Sequence, residues 1–246
     1  MLILAYHVIG DVAREHDPHN LAVTEAALTA QVRALQRRGH TFVTMAELAR
    51  RLPQGARGLC ALTFDDGAHD RVPELLAELG VPGTLYVCPG LDGVPHPFLA
   101  PEAGVRLMTR EEIAALGEHI EVGAHTMHHT VLADADADTA RRELADCKAD
   151  LEDLRGLPVT SFAYPECGYS EPCPAIAREE GYATAVTCGA RGSLAPHELR
   201  RVSVDALENR LTWALKSRDL WRLAWSSPPG RLARAAVRPF RHGMLR

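Results

Sequence analysis

The sequence predicts an α/β fold in which parallel strands are covered by helices, closed as a barrel or left open as a doubly wound sheet. Three observations point there. Short apolar, β-like runs alternate with segments of helical periodicity from residue 1 to about residue 205. Two helical segments open on Thr with Glu three residues later, the signature of a capped N-terminus. Hydrophobic residues make up 46% of a 246-residue chain, an ordinary globular share over a length that buries one large core.

The elements follow in order. Residues 2–6 read as a first strand. Thr24 caps a helix whose apolar positions Ala27, Leu28, Val32 and Leu35 recur at helical spacing, and Gly39 ends it. Residues 41–43 form a short strand, and Thr44 with Glu47 makes a capping-box pattern for a helix reaching Leu52. Residues 59–64 form a buried strand that runs straight into two aspartates. Residues 72–79 are helical, 84–88 a strand, and Thr109 with Glu112 opens another capped helix. The alternation continues with a strand at 120–123, a helix at 139–154, a strand at 159–162, a helix at 174–180, and strands at 183–187 and 201–204. Segment 89–108 is Pro- and Gly-rich, matches no element and is expected to lie over the site.

Charge and composition exclude several classes. The net charge of −5 lacks the basic footprint of a general nucleic-acid binder. No apolar run approaches the ~20 residues of a membrane-spanning helix. The first seven residues carry no basic region before the apolar stretch, so they read as a strand and predict a cytoplasmic protein. The six cysteines show no Cys-x-x-Cys pair and are expected as free thiols in a reducing compartment. Residues 210–246 differ from the rest: nine Lys/Arg against Asp219 give +8, leaving −13 for residues 1–209. Trp213, Leu220, Trp221, Ala224 and Trp225 can share one helical face there, with Lys216, Arg218 and Arg222 at its edges. That pattern suits either peripheral contact with an anionic membrane face or a last helix packed on the acidic body.

Three segments carry chemistry, each after a predicted strand. In Thr63-Phe64-Asp65-Asp66-Gly67, adjacent carboxylates need a cation or a proton to separate their roles, and Gly67 permits a sharp turn. In Gly123-Ala124-His125-Thr126-Met127-His128-His129, His125 and His129 are four apart and can converge on one ion if the segment turns helically. Joined to the acid pair, they make an Asp/His/His site with open positions, suited to a divalent metal that polarises a carbonyl and activates water. In Phe162-Ala163-Tyr164-Pro165-Glu166-Cys167-Gly168, the loop amides can face a developing oxyanion.

Together these segments resemble the polysaccharide deacetylase family (carbohydrate esterase family 4, the NodB-homology domain). Tyr6-His7, the run from Gln36 to Val43 and the run from Val81 to Val87 add landmarks in the right order, so the resemblance covers residues 1 to about 205. It implies a distorted (β/α) barrel of about seven strands over residues 1–208, with a basic, Trp-containing helical tail at 209–246. It also implies a metal site of Asp66, His125 and His129, holding zinc first, with cobalt, nickel, iron or manganese as alternatives. Asp65 is then the general base, and Tyr164, Pro165 and Glu166 form the oxyanion and substrate loop. The usual late Leu-x-His motif is missing after residue 190. In the permuted branch of biofilm-polysaccharide deacetylases an N-terminal Tyr-His supplies the acid, which points to His7, with His197 as the rival. Many members place an Arg beside the base where this chain has Ala163, leaving Arg201 as a substitute. The family Gly after the third-motif Pro is Cys167 here, with Gly168 one later.

The implied activity is removal of N-acetyl groups from an N-acetylated sugar or glycan by a cytoplasmic enzyme, peripheral at the inner membrane face. The competing readings are cleavage of another linear amide or ester on the same metal site, and a non-catalytic carbohydrate-binding relative.

Overall fold

A computed structural model of the chain describes residues 1–188 and 192–218. In chain order the elements are β1 (Leu2–Tyr6), β2 (Val8–Ile9), β3 (Ala22–Val23), α1 (Glu25–Arg37), β4 (Thr41–Phe42), α2 (Met45–Arg51), β5 (Leu59–Phe64), α3 (Val72–Leu79), β6 (Gly83–Val87), α4 (Arg110–Ala114), β7 (Ile120–Ala124), α5 (Ala137–Arg155), β8 (Ser161–Ala163), α6 (Cys173–Glu179), β9 (Thr184–Cys188), β10 (Leu199–Ser203) and α7 (Arg210–Lys216). Seven strands close on themselves in the order β1, β10, β9, β8, β7, β6, β5, and β5 pairs back with β1. Every pairing around the ring is parallel. The fold is therefore a distorted (β/α) barrel and not an open sheet. The distortion shows in the register: β1 and β5 pair continuously from Leu2↔Cys60 to Tyr6↔Phe64, whereas β7 and β8 meet at Ala124↔Phe162. β4 extends β5 outside the ring, and β2 pairs with β3 in a small separate sheet.

Strands buried on both faces explain the near-continuous apolar runs: every residue of β1 and β5 is buried. Ile3, Ala61, Tyr86, Ala163, Val186 and Leu199 pack in one cluster with Met45 and Leu48 of α2, which closes the N-terminal end of the barrel. The Met45 amide donates to Thr84 Oγ1 at 3.0 Å and the Ala46 amide to Glu121 Oε2 at 2.8 Å. Thr84 and Ser161 hydroxyls donate to the same Glu121 carboxylate at 2.9 and 2.6 Å. Burial pushes the Glu121 carboxyl up, and these donors work against that shift. With this end filled, the C-terminal strand ends are left to carry the site.

The caps follow the sequence with one difference. Thr24 accepts from the Ala27 amide, and Thr109 and Glu112 complete a capping box. At α2 Thr44 accepts from the Glu47 amide, but the Glu47 carboxylate pairs with Arg50 and Arg51 instead of returning to the cap. The cysteine expectation is corrected. Cys167 and Cys188 form a disulfide, their Cα atoms 5.2 Å apart, while Cys60, Cys88, Cys147 and Cys173 are free and buried. The pairing joins the turn after β8 to the end of neighbouring β9, an adjacency hidden by 21 residues of sequence.

The chain falls into two compact units, Met1–Leu207 and Glu208–Arg246. In the second, Asn209 caps α7 by accepting from the Leu211 and Thr212 amides, and Lys216 pairs with Glu208 at 2.7 Å. Trp213 lies on α7; Leu220, Trp221, Ala224, Trp225 and the basic positions from Arg222 onward lie outside the described residues. Among the described residues no helix is long and apolar enough to cross a membrane.

Candidate active site

The acid pair leaves β5 in a strained turn. The Asp65 amide donates to the Tyr6 carbonyl at 2.9 Å and so prolongs the pairing with β1. Asp66 then takes φ +70° and Gly67 φ +77°, and a Cβ at Gly67 would sit 2.8 Å from Val87 Cγ1. The close approach requires glycine, and the left-handed backbone favours it. The turn gives the two carboxylates different partners. Asp65 accepts from Arg201 through both oxygens, Nη1 to Oδ1 at 2.5 Å and Nη2 to Oδ2 at 2.6 Å. Arg201 is fully buried, also donates to Thr63 Oγ1 at 3.1 Å, and lies with its guanidinium 5.6 Å from the Tyr86 ring centre. Burial opposes charge on Asp65, but Arg201 and then His125 outweigh it and hold the carboxyl below its usual range.

Asp66 faces imidazoles. Its Oδ1 is 3.4 Å from His125 Nε2 and 3.3 Å from His129 Nε2, and its Oδ2 is 3.5 Å from His96 Nε2. One ligand atom from each of Asp66, His125 and His129 lies within 4.8 Å of the others. Burial would raise the Asp66 carboxyl; the His125 and His129 rings hold it well below the usual range. His125 Nδ1 lies 2.8 Å from the Ala163 carbonyl, which places a ring proton on Nδ1, so that in the neutral ring Nε2 carries a lone pair. Two buried acceptors, Asp66 Oδ1 and His125 Nε2, then face each other without a hydrogen bond to either Asp66 oxygen. That donor set fits a divalent cation.

The two histidines converge, but not through a helical turn. Residues 125–129 form a bend with Thr126 at φ +63° and His129 at φ +58°. Glu143 of α5 secures it, accepting from the Met127 amide at 2.8 Å, the His128 amide at 3.4 Å and the Thr130 hydroxyl at 2.8 Å. Left-handed non-glycine residues at Asp66, Thr126 and His129 concentrate strain around the same site.

In the third segment Tyr164 donates its amide to Val186, Cys167 to Tyr164 and Gly168 to Pro165. Pro165 has no amide hydrogen, and among the described residues the Glu166 N–H makes no backbone hydrogen bond. His7 follows β1, half-buried, and its charge lowers both Asp65 and Asp66. His197 precedes β10, and its Nε2 is 2.7 Å from the Tyr182 carbonyl.

The profile of the polysaccharide deacetylase family matches residues 54–185. The chain belongs to this family. It is 26% identical over 185 residues to a chitooligosaccharide deacetylase of Rhizobium leguminosarum bv. phaseoli, covering 74% of each chain. Its fold is similar to that of the Streptococcus pyogenes deacetylase PplD in complex with acetate (TM-score 0.71, 24% identity, 84% of this chain and 93% of that one). It is also similar to IcaB from Ammonifex degensii (TM-score 0.70, 22% identity, 90% and 96%).

Against the deacetylase pattern, two departures acquire a physical account. Arg201 reaches the carboxylate that the missing arginine at Ala163 would have met. Cys167 adopts φ +57°, the glycine-like conformation, whereas Gly168 sits at φ −107° and needs none. The disulfide to Cys188 and a 2.7 Å hydrogen bond from the Thr187 hydroxyl to the Cys167 carbonyl hold that strained residue. The sequence reading passed over His96 and Glu143. His96 stands between Pro95 and Pro97, a rigid setting that is its one sequence signal. Phe98, two residues on, packs on His129 with ring centres 4.8 Å apart.

Proposed function

We propose that this chain hydrolyses the acetamide of an N-acetylated sugar or glycan, with a divalent ion held by Asp66, His125 and His129. The observation that carries the reading is the convergence of those three ligands beside an ionised carboxylate clamped by Arg201. The ion, zinc by this reading with cobalt, nickel, iron or manganese as substitutes, supplies Lewis acidity that polarises the carbonyl and acidifies water when bound. Asp65, kept ionised and aimed by the guanidinium fork, takes a proton from the attacking water. The Glu166 amide donates to the oxygen on which negative charge develops, with Tyr164 and Pro165 fixing its turn. His7 delivers a proton to the departing nitrogen. The C–N bond breaks, acetate leaves, and the sugar keeps a free amine.

Acetate release from N-acetylhexosamine compounds tests this. Wild type should release it, and chelation or Asp65→Asn should each abolish release; activity that survives both refutes the mechanism. A second reading, another linear amide or ester, is favoured by the departure at Cys167, held at φ +57° in the loop that would face the substrate. A screen of N-acyl and O-acyl substrates separates the two, and failure to bind any divalent ion would mark a carbohydrate-binding relative.

The proposal extends to place: work in the cytoplasm, at the inner membrane face, supported by the basic, Trp-bearing tail and carrying no role in nucleic-acid binding. The Cys167–Cys188 disulfide stands against a reducing compartment, so finding it fully closed in protein trapped from its host would overturn that placement.

A further inference from the structure

Segment 92–108, which the motifs leave unassigned, folds back on itself and is pinned beside the acid pair. The Leu107 amide donates to Val94 at 2.8 Å, the His96 amide to Val105 at 2.9 Å and the Met108 amide to Gly67 at 2.9 Å. His96 is thereby buried, 2% exposed, with its ring edge toward Asp66. The Phe98 amide donates to His96 Nδ1 at 3.4 Å, which requires that nitrogen to be unprotonated and puts the ring hydrogen on Nε2. That buried Nε2–H has no hydrogen-bond partner, and the acceptor facing it at 3.5 Å is Asp66 Oδ2, itself unpartnered. Oδ1 faces the other way, toward His125 and His129.

We propose that His96 is a positioning residue whose Nε2–H holds Asp66 Oδ2, so that Asp66 presents Oδ1 alone to the metal ion. The inference rests on the reading of Asp66, His125 and His129 as ligands. The protonated Nε2 gives His96 no lone pair to offer an ion, so it acts through the carboxylate and not as a fourth ligand. Groups that orient a metal ligand in this way typically change metal affinity by about 10–100-fold when removed.

The test is zinc titration of the metal-free full chain against a competing chelating dye, with no activity readout. Wild type should bind, His96→Leu should bind about 10–100-fold more weakly, and His96→Gln, whose amide still donates, should recover most of the loss. Cobalt-loaded wild type and H96Q should share one visible absorption spectrum. Unchanged zinc affinity in H96L, or H96Q no better than H96L, overturns the inference. So does a cobalt spectrum shifted in H96Q, since that marks His96 as a ligand. Melting curves of the metal-free proteins report folding; if H96L does not fold, His96→Asn, whose amide is shorter, replaces it against H96Q. Wild type that takes up neither zinc nor any of the alternative divalent ions sinks the parent reading, whereas wild type that binds beside an unaffected H96L sinks only this one.

Discussion

Arg201 and Asp65 are 136 positions apart, yet their paired hydrogen bonds set the charge of the residue proposed as base. Removing the guanidinium takes away the largest influence opposing desolvation of this buried carboxylate, so its pKa rises. As a depressed acid, Asp65 contributes stability that is complete above the ordinary carboxylate range and lost as pH falls through its folded value. Arg201→Met should therefore lower stability at neutral pH by about 3–5 kcal/mol, the usual effect of orphaning a buried charge. It should also move the acid limb of the rate profile to higher pH. Urea midpoints and a pH–rate curve check both, and an unmoved limb would mean that Arg201 does not tune the base. Asp65, Asp66, His125 and His129 were legible because each stands in a short motif at a strand end. Arg201 was legible only as a substitute for a missing partner. His96 and Glu143 were not, since what they touch is set by folding across the barrel mouth and not by spacing.

Among the elements, period and caps revealed the alternation, and α3 falls on the residues its apolar spacing predicts. What escaped has no period: the two-residue strands β2 and β3, and the fold-back at 92–108, which is held by backbone hydrogen bonds. The histidine bend escaped too, because two left-handed non-glycine residues are a tertiary imposition secured from α5. Asp70 illustrates how one side chain ties such pieces together. Its carboxylate accepts from Ile9 of β2 at 2.8 Å and from Val72, the first residue of α3, at 3.0 Å. Burial pushes its pKa up to about 7. Between about pH 4 and 7 the folded protein then holds a proton that the unfolded chain has released. Unfolding free energy attributable to Asp70 must fall as pH rises across that window and level off above it. Wild type should lose stability relative to Asp70→Asn from pH 5 to pH 8 in urea titrations; a constant difference would show an ordinary carboxylate.

At the scale of the molecule, the proposed ion would link two barrel strands across a third. Asp66 follows β5, His125 and His129 follow β7, and β6 pairs with both. An ion bound by the folded chain and not by the unfolded one stabilises it by mass action, about 2.7 kcal/mol at a free concentration a hundredfold above Kd. For a chain of this size that corresponds to a rise in Tm of roughly 5–10 °C. The two aspartates make the experiment discriminating, because they are neighbours with different assignments. Asp65→Asn should abolish acetate release yet keep the metal-induced rise, since Asp65 belongs to Arg201. Asp66→Asn should abolish both. Were the rise to vanish in D65N and persist in D66N, the ligand and the base would have to be exchanged, and the turn at Gly67 would be sending each carboxylate to the other's task.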